Sequence, residues 1–500
     1  MPLVPFLSSA AVRRTTTEAA GVLRFTKEGG VRRCRRRASL VLALAVLVPA
    51  AASAPAGAHP AGPAAIDAVS AWNANAGKAA VAACISPVGP SPAEARLYAM
   101  THVAIHDALN AIDRRSRPYV YDARAPRRAS PDAAVAAAAR DVLVPVLREL
   151  STLVPPACVY AAVASVEADY VAALDAVRDG RAETRGVAVG QAAAAAILAL
   201  RATDGAQTLL VGDPAYIEGT LPGEYRFTPG TPFAFAPRLG ELTPFVLRDG
   251  SQFRPGPPHA VTDERYTADF NEIKRLGGDV VTTPSARTAD QTEIALSWVE
   301  SSPLRWNRIA RTVSAGAGLD LWEKARLFGL LNMALADGYI GSFETKYHYN
   351  YWRPVTAIRA AATDGNPETV ADPTWTPLVE TPAIPDYDSG HAVEGGAAAK
   401  VLQRFFGNDH IGFSSCSLTL PAGSRCGDAG AVLREYSSFS QAAEENGLSR
   451  ILVGFHFREA VEVGIVHGAK IGRRAVDLFL QPVRHRHHGG GHHDHGDHDE

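Results

Sequence analysis

The sequence predicts an all-α protein of two packed helical bundles, and three observations carry that expectation. Alanine, the strongest helix former, is abundant and occurs in runs such as residues 192–196. Apolar side chains recur with a helical period on both sides of a central stretch, 204–262, where that period is lost and proline and glycine recur instead. With 500 residues and 47% hydrophobic content, the chain has apolar mass for two or more lobes. A formal net charge of −2 gives no electrostatic reason to expect a nucleic acid or an anionic membrane surface as partner.

Residues 1–58 read as an N-terminal extension and export signal. Arg32, Arg33, Arg35, Arg36 and Arg37 lead into an apolar stretch, 40–48, and then into small residues at Ala52, Ala54 and Ala58. The basic lead loosely resembles a twin-arginine signal, and Val31 is a candidate start. The apolar stretch is short for a membrane helix, and no later run is expected to span a bilayer. Export, whether secreted, periplasmic or surface-associated, is the expectation. Cysteine use agrees: apart from Cys34 four cysteines remain, and an even count in an exported chain favours disulfides. Cys416 with Cys426 would close a short loop, leaving Cys84 with Cys158; four reduced, buried thiols are the alternative.

Residues 59–203 form an N-terminal helical lobe. Leu97, Met100, Val103, Ala104, Ala108 and Leu109 make a broad apolar face over 93–112, and 133–150, 157–177 and 183–202 behave similarly. His102 and His106, four apart, could ligate a metal with Asp107 nearby; a structural helix is the plainer reading. The 204–262 stretch is a Pro/Gly-rich connecting loop, and a loop so long is usually functional or wrapped across another lobe. Tyr225, Phe227, Phe233 and Phe235 are its candidate wall residues at a site mouth; a surface connection is the other reading. A helical core, 263–483, follows, with helices expected at 263–276, 289–300, 304–315 and 319–339. Trp298 and Trp306 are expected in its interior. The tail, 484–500, contains seven histidines from His485 to His498 and cannot bury a core. Loose binding of divalent metal and plain solvation are its two readings.

Chemistry concentrates in three stretches of the last third: Lys346 with Arg353 and Pro354, then Ser389-Gly390-His391, then Ser449-Arg450 with His456. Two guanidiniums and an ammonium suit a multiply charged oxyanion. Lys346 and Arg353 are seven apart, about two turns on one helix face. Ser389-Gly390-His391 precedes an alanine-rich run, which places it where unpaired helix N–H groups point outward, an anion cradle. Arg450 and His456, six apart, converge only if the backbone breaks between them, and Gly454 is the expected break.

Lys-x6-Arg-Pro, Ser-Gly-His and Ser-Arg-x5-His together resemble the signature shared by vanadium-dependent haloperoxidases and type 2 phosphatidic acid phosphatases. The resemblance covers 93–112 and 289–475, and the large N-terminal lobe is similar to that of the soluble bacterial haloperoxidase-like branch. It implies a vanadium chloroperoxidase-like or acid phosphatase-like helical core. It further implies that Lys346, Arg353, Arg450, Ser389 and Gly390 bind vanadate or phosphate, that His391 is an acid–base group, and that His456 ligates vanadium or attacks phosphorus. Two positions depart from the pattern. Asp388 stands where a proline is usual, and is expected to raise the pKa of His391. Ala460 stands where an aspartate commonly follows the second histidine; Glu459 is the expected substitute that orients His456.

Three functions are compatible with this constellation. The resemblance implies an enzyme that holds vanadate as cofactor and oxidises halide with hydrogen peroxide, passing the product to an organic acceptor. The alternative is an exported acid phosphatase acting on a phosphate ester through a phosphohistidine, with no cofactor. The third is an oxyanion-binding protein without catalysis.

Overall fold

Thirteen α-helices and one two-stranded ribbon make up the regular structure of the residues described by the computed structural model, 66–126, 128–206 and 213–483. The export signal and the histidine-rich tail lie outside the described residues. The first bundle comprises α1 (Ala68–Ala82), α2 (Ser91–Ile112), α3 (Pro131–Glu149), α4 (Pro156–Asp175) and α5 (Arg181–Arg201). After the long connection come α6 (Glu264–Leu276), α7 (Ala289–Ser297), α8 (Ser302–Gly316), α9 (Leu321–Tyr349), α10 (Pro354–Ala360) and α11 (Gly390–Phe406). Strands β1 (Phe413–Ser415) and β2 (Arg434–Tyr436) pair antiparallel, and α12 (Phe439–Leu452) and α13 (Arg458–Leu478) complete the second bundle.

The two bundles meet along α2 and α9. A capping box between Asp320 and Glu323 starts α9, and its residues from Leu327 to Phe343 are all buried, as befits a helix surrounded on every side. It runs ten residues beyond the expected end at 339, so Lys346 lies inside it. Its neighbours in the second bundle are α11 and α13, which approach each other more closely than ordinary side chains allow. At Gly468 of α13 an added Cβ would overlap the carbonyl of Val393, so only glycine fits there.

Both disulfides expected from the cysteine count are formed, Cys84–Cys158 and Cys416–Cys426. One expectation needs correction. By length and composition α4 is apolar enough to cross a membrane, with a mean hydropathy of 1.4, and only 17% of that window is buried. Its apolarity comes largely from alanine and valine. The helix is tied to the first bundle by the Cys84–Cys158 bond and by Arg140, which pairs with Glu167 at 2.7 Å.

Buried aspartates hold the irregular segments onto the helices. Asp107 of α2 accepts backbone N–H bonds from Tyr119, Val120 and Tyr121, each at 2.8 Å. Asp337 of α9 does the same for Phe245, Val246 and Leu247 at 2.6, 2.6 and 2.7 Å, and so pins the long connection to the central helix. His102 and His106 are structural. His106 uses both ring nitrogens, on Asp107 and Ser116, and His102 Nε2 meets the Asn73 amide at 2.8 Å. Among the described residues no group of three or more His, Cys, Asp or Glu side chains is arranged to hold a metal ion.

Because Asp337→Ala strands three buried N–H donors, it should destabilise the protein by about 3 kcal/mol or more. Urea denaturation followed by circular dichroism measures this, and an unchanged midpoint would refute the clamp.

Candidate functional site

The site is assembled from helix ends. Lys346 sits in the last turn of α9, which stops where Asn350 turns left-handed at φ 49°. Arg353 caps the N-terminus of α10. The two cations therefore stand on either side of a break, not on one face of one helix, because Asn350 and then Pro354 interrupt the helix between them. Both reach the same segment: Lys346 Nζ donates to the carbonyls of Pro385 and Asp386, each at 2.9 Å, and Arg353 Nε donates to that of Ile384 at 2.6 Å.

Ser389-Gly390-His391 lies where the helix-start argument put it. Ser389 is the N-cap of α11, and its backbone N–H is held by the carbonyl of Ala460 at 2.9 Å. Its Oγ is buried and has no hydrogen-bond partner. A Cβ built on Gly390 meets nothing closer than Ser342 Oγ at 3.7 Å. His391 Nε2 donates to the Glu300 carbonyl at 3.3 Å, which leaves Nδ1 as the acceptor in the neutral ring.

The expected break between Arg450 and His456 is also present. Helix α12 ends at Leu452, and Gly454 turns the chain at φ 87°, where a Cβ would lie 2.7 Å from the Gly277 carbonyl. The N–H groups of Phe455 and His456 then return to the Arg450 carbonyl at 2.9 and 3.2 Å. Arg450 Nη1 donates to the Trp298 carbonyl at 2.8 Å, while its Nε is buried without a partner. Arg353 Nη1 donates to the Phe455 carbonyl at 2.9 Å and lies 2.9 Å from His456 Nε2; its Nη2 is buried and unpartnered.

A buried carboxylate that the sequence does not mark lies beside His456, although neither of its oxygens has a hydrogen-bond partner. Asp386 Oδ1 is 2.9 Å from His456 Nδ1, and both side chains are buried. Glu459 instead holds the connecting loop: its carboxylate accepts the backbone N–H of His259 at 2.7 Å and faces the His259 ring at 3.1 Å. The helical-face argument fails because Phe457 is the N-cap of α13, so His456 precedes the helix that carries Glu459. Asp388 is corrected too. It bonds Ser342 Oγ at 2.9 Å and His467 Nδ1 at 2.7 Å, linking α9 to α13, and it does not raise His391. Asp386 lies 70 residues from His456, and His467 lies 79 residues from its partner Asp388, so no local spacing marks either one.

Burial dominates the electrostatics. It pushes Lys346 well below the usual ammonium range, with Arg353 adding to the effect, and lowers Arg450 to about 9. His391 falls well below the ordinary imidazole range through burial and then through Arg450; His456 does so through burial and then Arg353. Burial raises Asp386 to about 7 against the pull of Arg353 and Lys346. Burial thus favours the neutral form of both imidazoles; Nδ1 of His391 keeps its lone pair, while Nε2 of His456 accepts from Arg353 Nη1 at 2.9 Å.

Removing the buried carboxylate 2.9 Å from His456 Nδ1 should weaken oxyanion binding. Asp386→Ala is expected to raise the Kd for orthovanadate or phosphate by roughly ten- to a hundred-fold, whereas Glu459→Gln leaves it unchanged in the same titration. The depressed histidines also set an acid limit. The unfolded chain binds protons below about pH 6.5 that the folded one refuses, so stability is complete above that pH. It then falls by up to about 1.4 kcal/mol per pH unit for each histidine as the solution is acidified. Thermal denaturation from pH 7 to 5 should show a shallower loss in His391→Gln than in the unaltered protein.

Residues 326–485 match the family described as the VCPO second helical-bundle domain. Vanadium chloroperoxidase of Curvularia inaequalis is 28% identical over 207 residues, 35% of this chain and 33% of that protein, so the chain matches about a third of the relative's length. A bacterial vanadium-dependent iodoperoxidase of known structure superposes with a TM-score of 0.65 at 21% identity, over 84% of this chain and 97% of its own. The holo form of a bacterial vanadium-dependent chloroperoxidase gives 0.64 at 17% identity, over 81% and 94%. These superpositions show a shared fold, and the sequence match covers the segment that carries all three motifs. Residues 326–485, which carry all three motifs, are thus similar to the second helical-bundle domain of vanadium chloroperoxidase, and the rest of the described chain shares the haloperoxidase fold.

Proposed function

We propose that the protein is an exported, vanadate-dependent haloperoxidase-type enzyme that oxidises halide with hydrogen peroxide. The observation that carries this reading is a set of buried donors without partners, Ser389 Oγ, Arg353 Nη2 and Arg450 Nε, on residues grouped with a neutral His456. Buried donors are almost always satisfied, and a tetrahedral oxyanion would accept from all three. Vanadate therefore fits the residues present. Lys346, Arg353 and Arg450 would balance its charge, and Ser389 Oγ with the Gly390 N–H would orient it at the start of α11. His456 would be its protein ligand through Nε2, the ring nitrogen that now accepts from Arg353 Nη1 at 2.9 Å, with Arg353 turning to the oxyanion instead.

When bound, vanadate supplies a Lewis-acidic centre that activates hydrogen peroxide toward halide. The chain supplies the proton handling. His391 is neutral, engages Glu300 through Nε2, and can accept a proton at Nδ1 from peroxide as it enters. Aromatic and backbone cover comes from the long connection. Tyr225 N–H donates to the Asn350 carbonyl at 2.7 Å and the Trp352 N–H to that of Gly223 at 2.9 Å, which seals the side of the site carrying Lys346 and Arg353. Export is supported by the two disulfides, which belong to an oxidising compartment.

The same neutral His456, backed by a carboxylate, would also serve as a nucleophile toward phosphorus. One paired assay separates the readings. Metal-stripped protein is tested for bromide oxidation with peroxide, with and without orthovanadate, beside hydrolysis of an aryl phosphate. Vanadate-dependent bromide oxidation that disappears in His456→Ala is expected. Phosphate release inhibited by vanadate would move the protein to the phosphatases, and silence in both would leave an oxyanion-binding role.

A further inference from the structure

Two carboxyl side chains lie in the interior with no cation paired to them. Glu94 is on α2 and Glu394 on α11, one turn after His391, and both are fully buried. Glu94 accepts a hydrogen bond from Ser301 Oγ; neither oxygen of Glu394 has a hydrogen-bond partner. Among the described residues no ion pair reaches either carboxyl. Arg308, the guanidinium that acts on Glu94, is committed to Glu300 by bonds of 2.5 and 3.0 Å.

The two carboxyls lie where α9 packs against α2 and α11. Glu394 Oε1 presses against the α9 backbone at Gly338, where a Cβ would collide with it. The next residue, Tyr339, is buried and responds electrostatically to Glu394, Glu94 and Arg450 of the oxyanion cage. Tyr339 also forms part of the wall of a cavity of about 20 Å³ that Arg96 and Asp204 line as well, room for about one water. The Arg96 side chain is 12% exposed, so this cavity approaches solvent. The remaining groups facing the cluster are Tyr98 on α2, which feels Glu94, and Glu300 with Arg308 beside α8.

An unpaired carboxylate in such a place is costly, and two neighbouring ones more so. Burial accordingly raises Glu94 to about 8 and Glu394 well above the usual carboxyl range, so both carry a proton at neutral pH. Halide oxidation needs one: halide, hydrogen peroxide and a proton give hypohalous acid and water. We propose that Glu394, backed by Glu94 and Tyr339, stores the proton that each halide oxidation consumes and relays it to the cage. Glu394 gives up its O–H proton toward the site and regains one from water in the cavity by way of the hydroxyl of Tyr339, a residue that lines that cavity. This inference rests on the halide-oxidising reading above.

The test uses the full chain and the isosteric variants Glu394→Gln and Glu94→Gln. Infrared spectra at neutral pH should show a protonated-carboxyl band that each variant diminishes. In vanadate-loaded Glu394→Gln, kcat for bromide oxidation should fall roughly ten-fold or more, with its alkaline limb moved to lower pH. KM for bromide and the Kd for orthovanadate should stay as they are. Three results would overturn the relay: an unchanged kcat–pH profile, even with an altered Tm; no change in the infrared band; or a cation that copurifies with the protein and is lost in Glu394→Gln. If the unaltered protein shows the band but no vanadate-dependent oxidation, the halide reading fails and the relay with it, while the buried protons stand.

Discussion

Three cationic side chains, Lys346, Arg353 and Arg450, are buried at the ends of helices, and the arrangement of the second bundle follows from what their charge requires. A desolvated cation needs hydrogen-bond acceptors, and carbonyls inside a helix are already engaged by the helix itself. The acceptors here are the carbonyls of Ile384, Pro385, Asp386, Phe455 and Trp298, and each lies outside the regular helices. The cage consequently forms where α9, α12 and α11 stop or start. Regular helices could not have supplied it.

One short segment, 384–391, serves most of these needs at once. Its first three carbonyls hold Lys346 and Arg353, the Asp386 carboxylate lies beside His456, Asp388 ties α9 to α13, and Ser389-Gly390-His391 opens α11. The segment is in turn fixed from outside, since the Asp386 N–H donates to the Tyr351 carbonyl at 2.8 Å and the Tyr387 hydroxyl to that of Gly256 at 2.8 Å. The long connection thus acts as a second layer. Asp337 pins it to α9, and Tyr347 Oη reaches the carbonyl of Phe235, so the helix that delivers Lys346 also carries the loop that covers it.

Local signals in the sequence located the helices and the three stretches that meet at helix ends in the second bundle. The helical period found α2 and α3 to within two residues at either end, and Gly454 announced the turn that joins Arg450 to His456, because a positive φ leaves few alternatives to glycine. Spacing misled where it assumed continuity. Seven residues between Lys346 and Arg353 look like two helical turns, yet Asn350 and Pro354 end one helix and begin another. Glu459 looked well placed for His456 for the same reason. Asp386 was illegible because its contact with His456 spans 70 residues, and the pairing of two loops leaves no period to read.

That the carboxylate beside His456 lies on the segment before Ser389, and not on the helix that follows His456, has a mechanical consequence. On a helix, the carboxylate would hold the imidazole through a rigid element that is indifferent to the rest of the cage. On the 384–391 segment, it shares a backbone with the carbonyls that hold Lys346 and Arg353 and with the start of α11. Any shift of that segment moves a cation contact, the imidazole and the anion cradle together. Oxyanion binding as proposed would therefore be one equilibrium with the ordering of this segment, and a bound anion would stabilise the whole junction of α9, α11 and α12 by an amount that grows with its concentration relative to Kd.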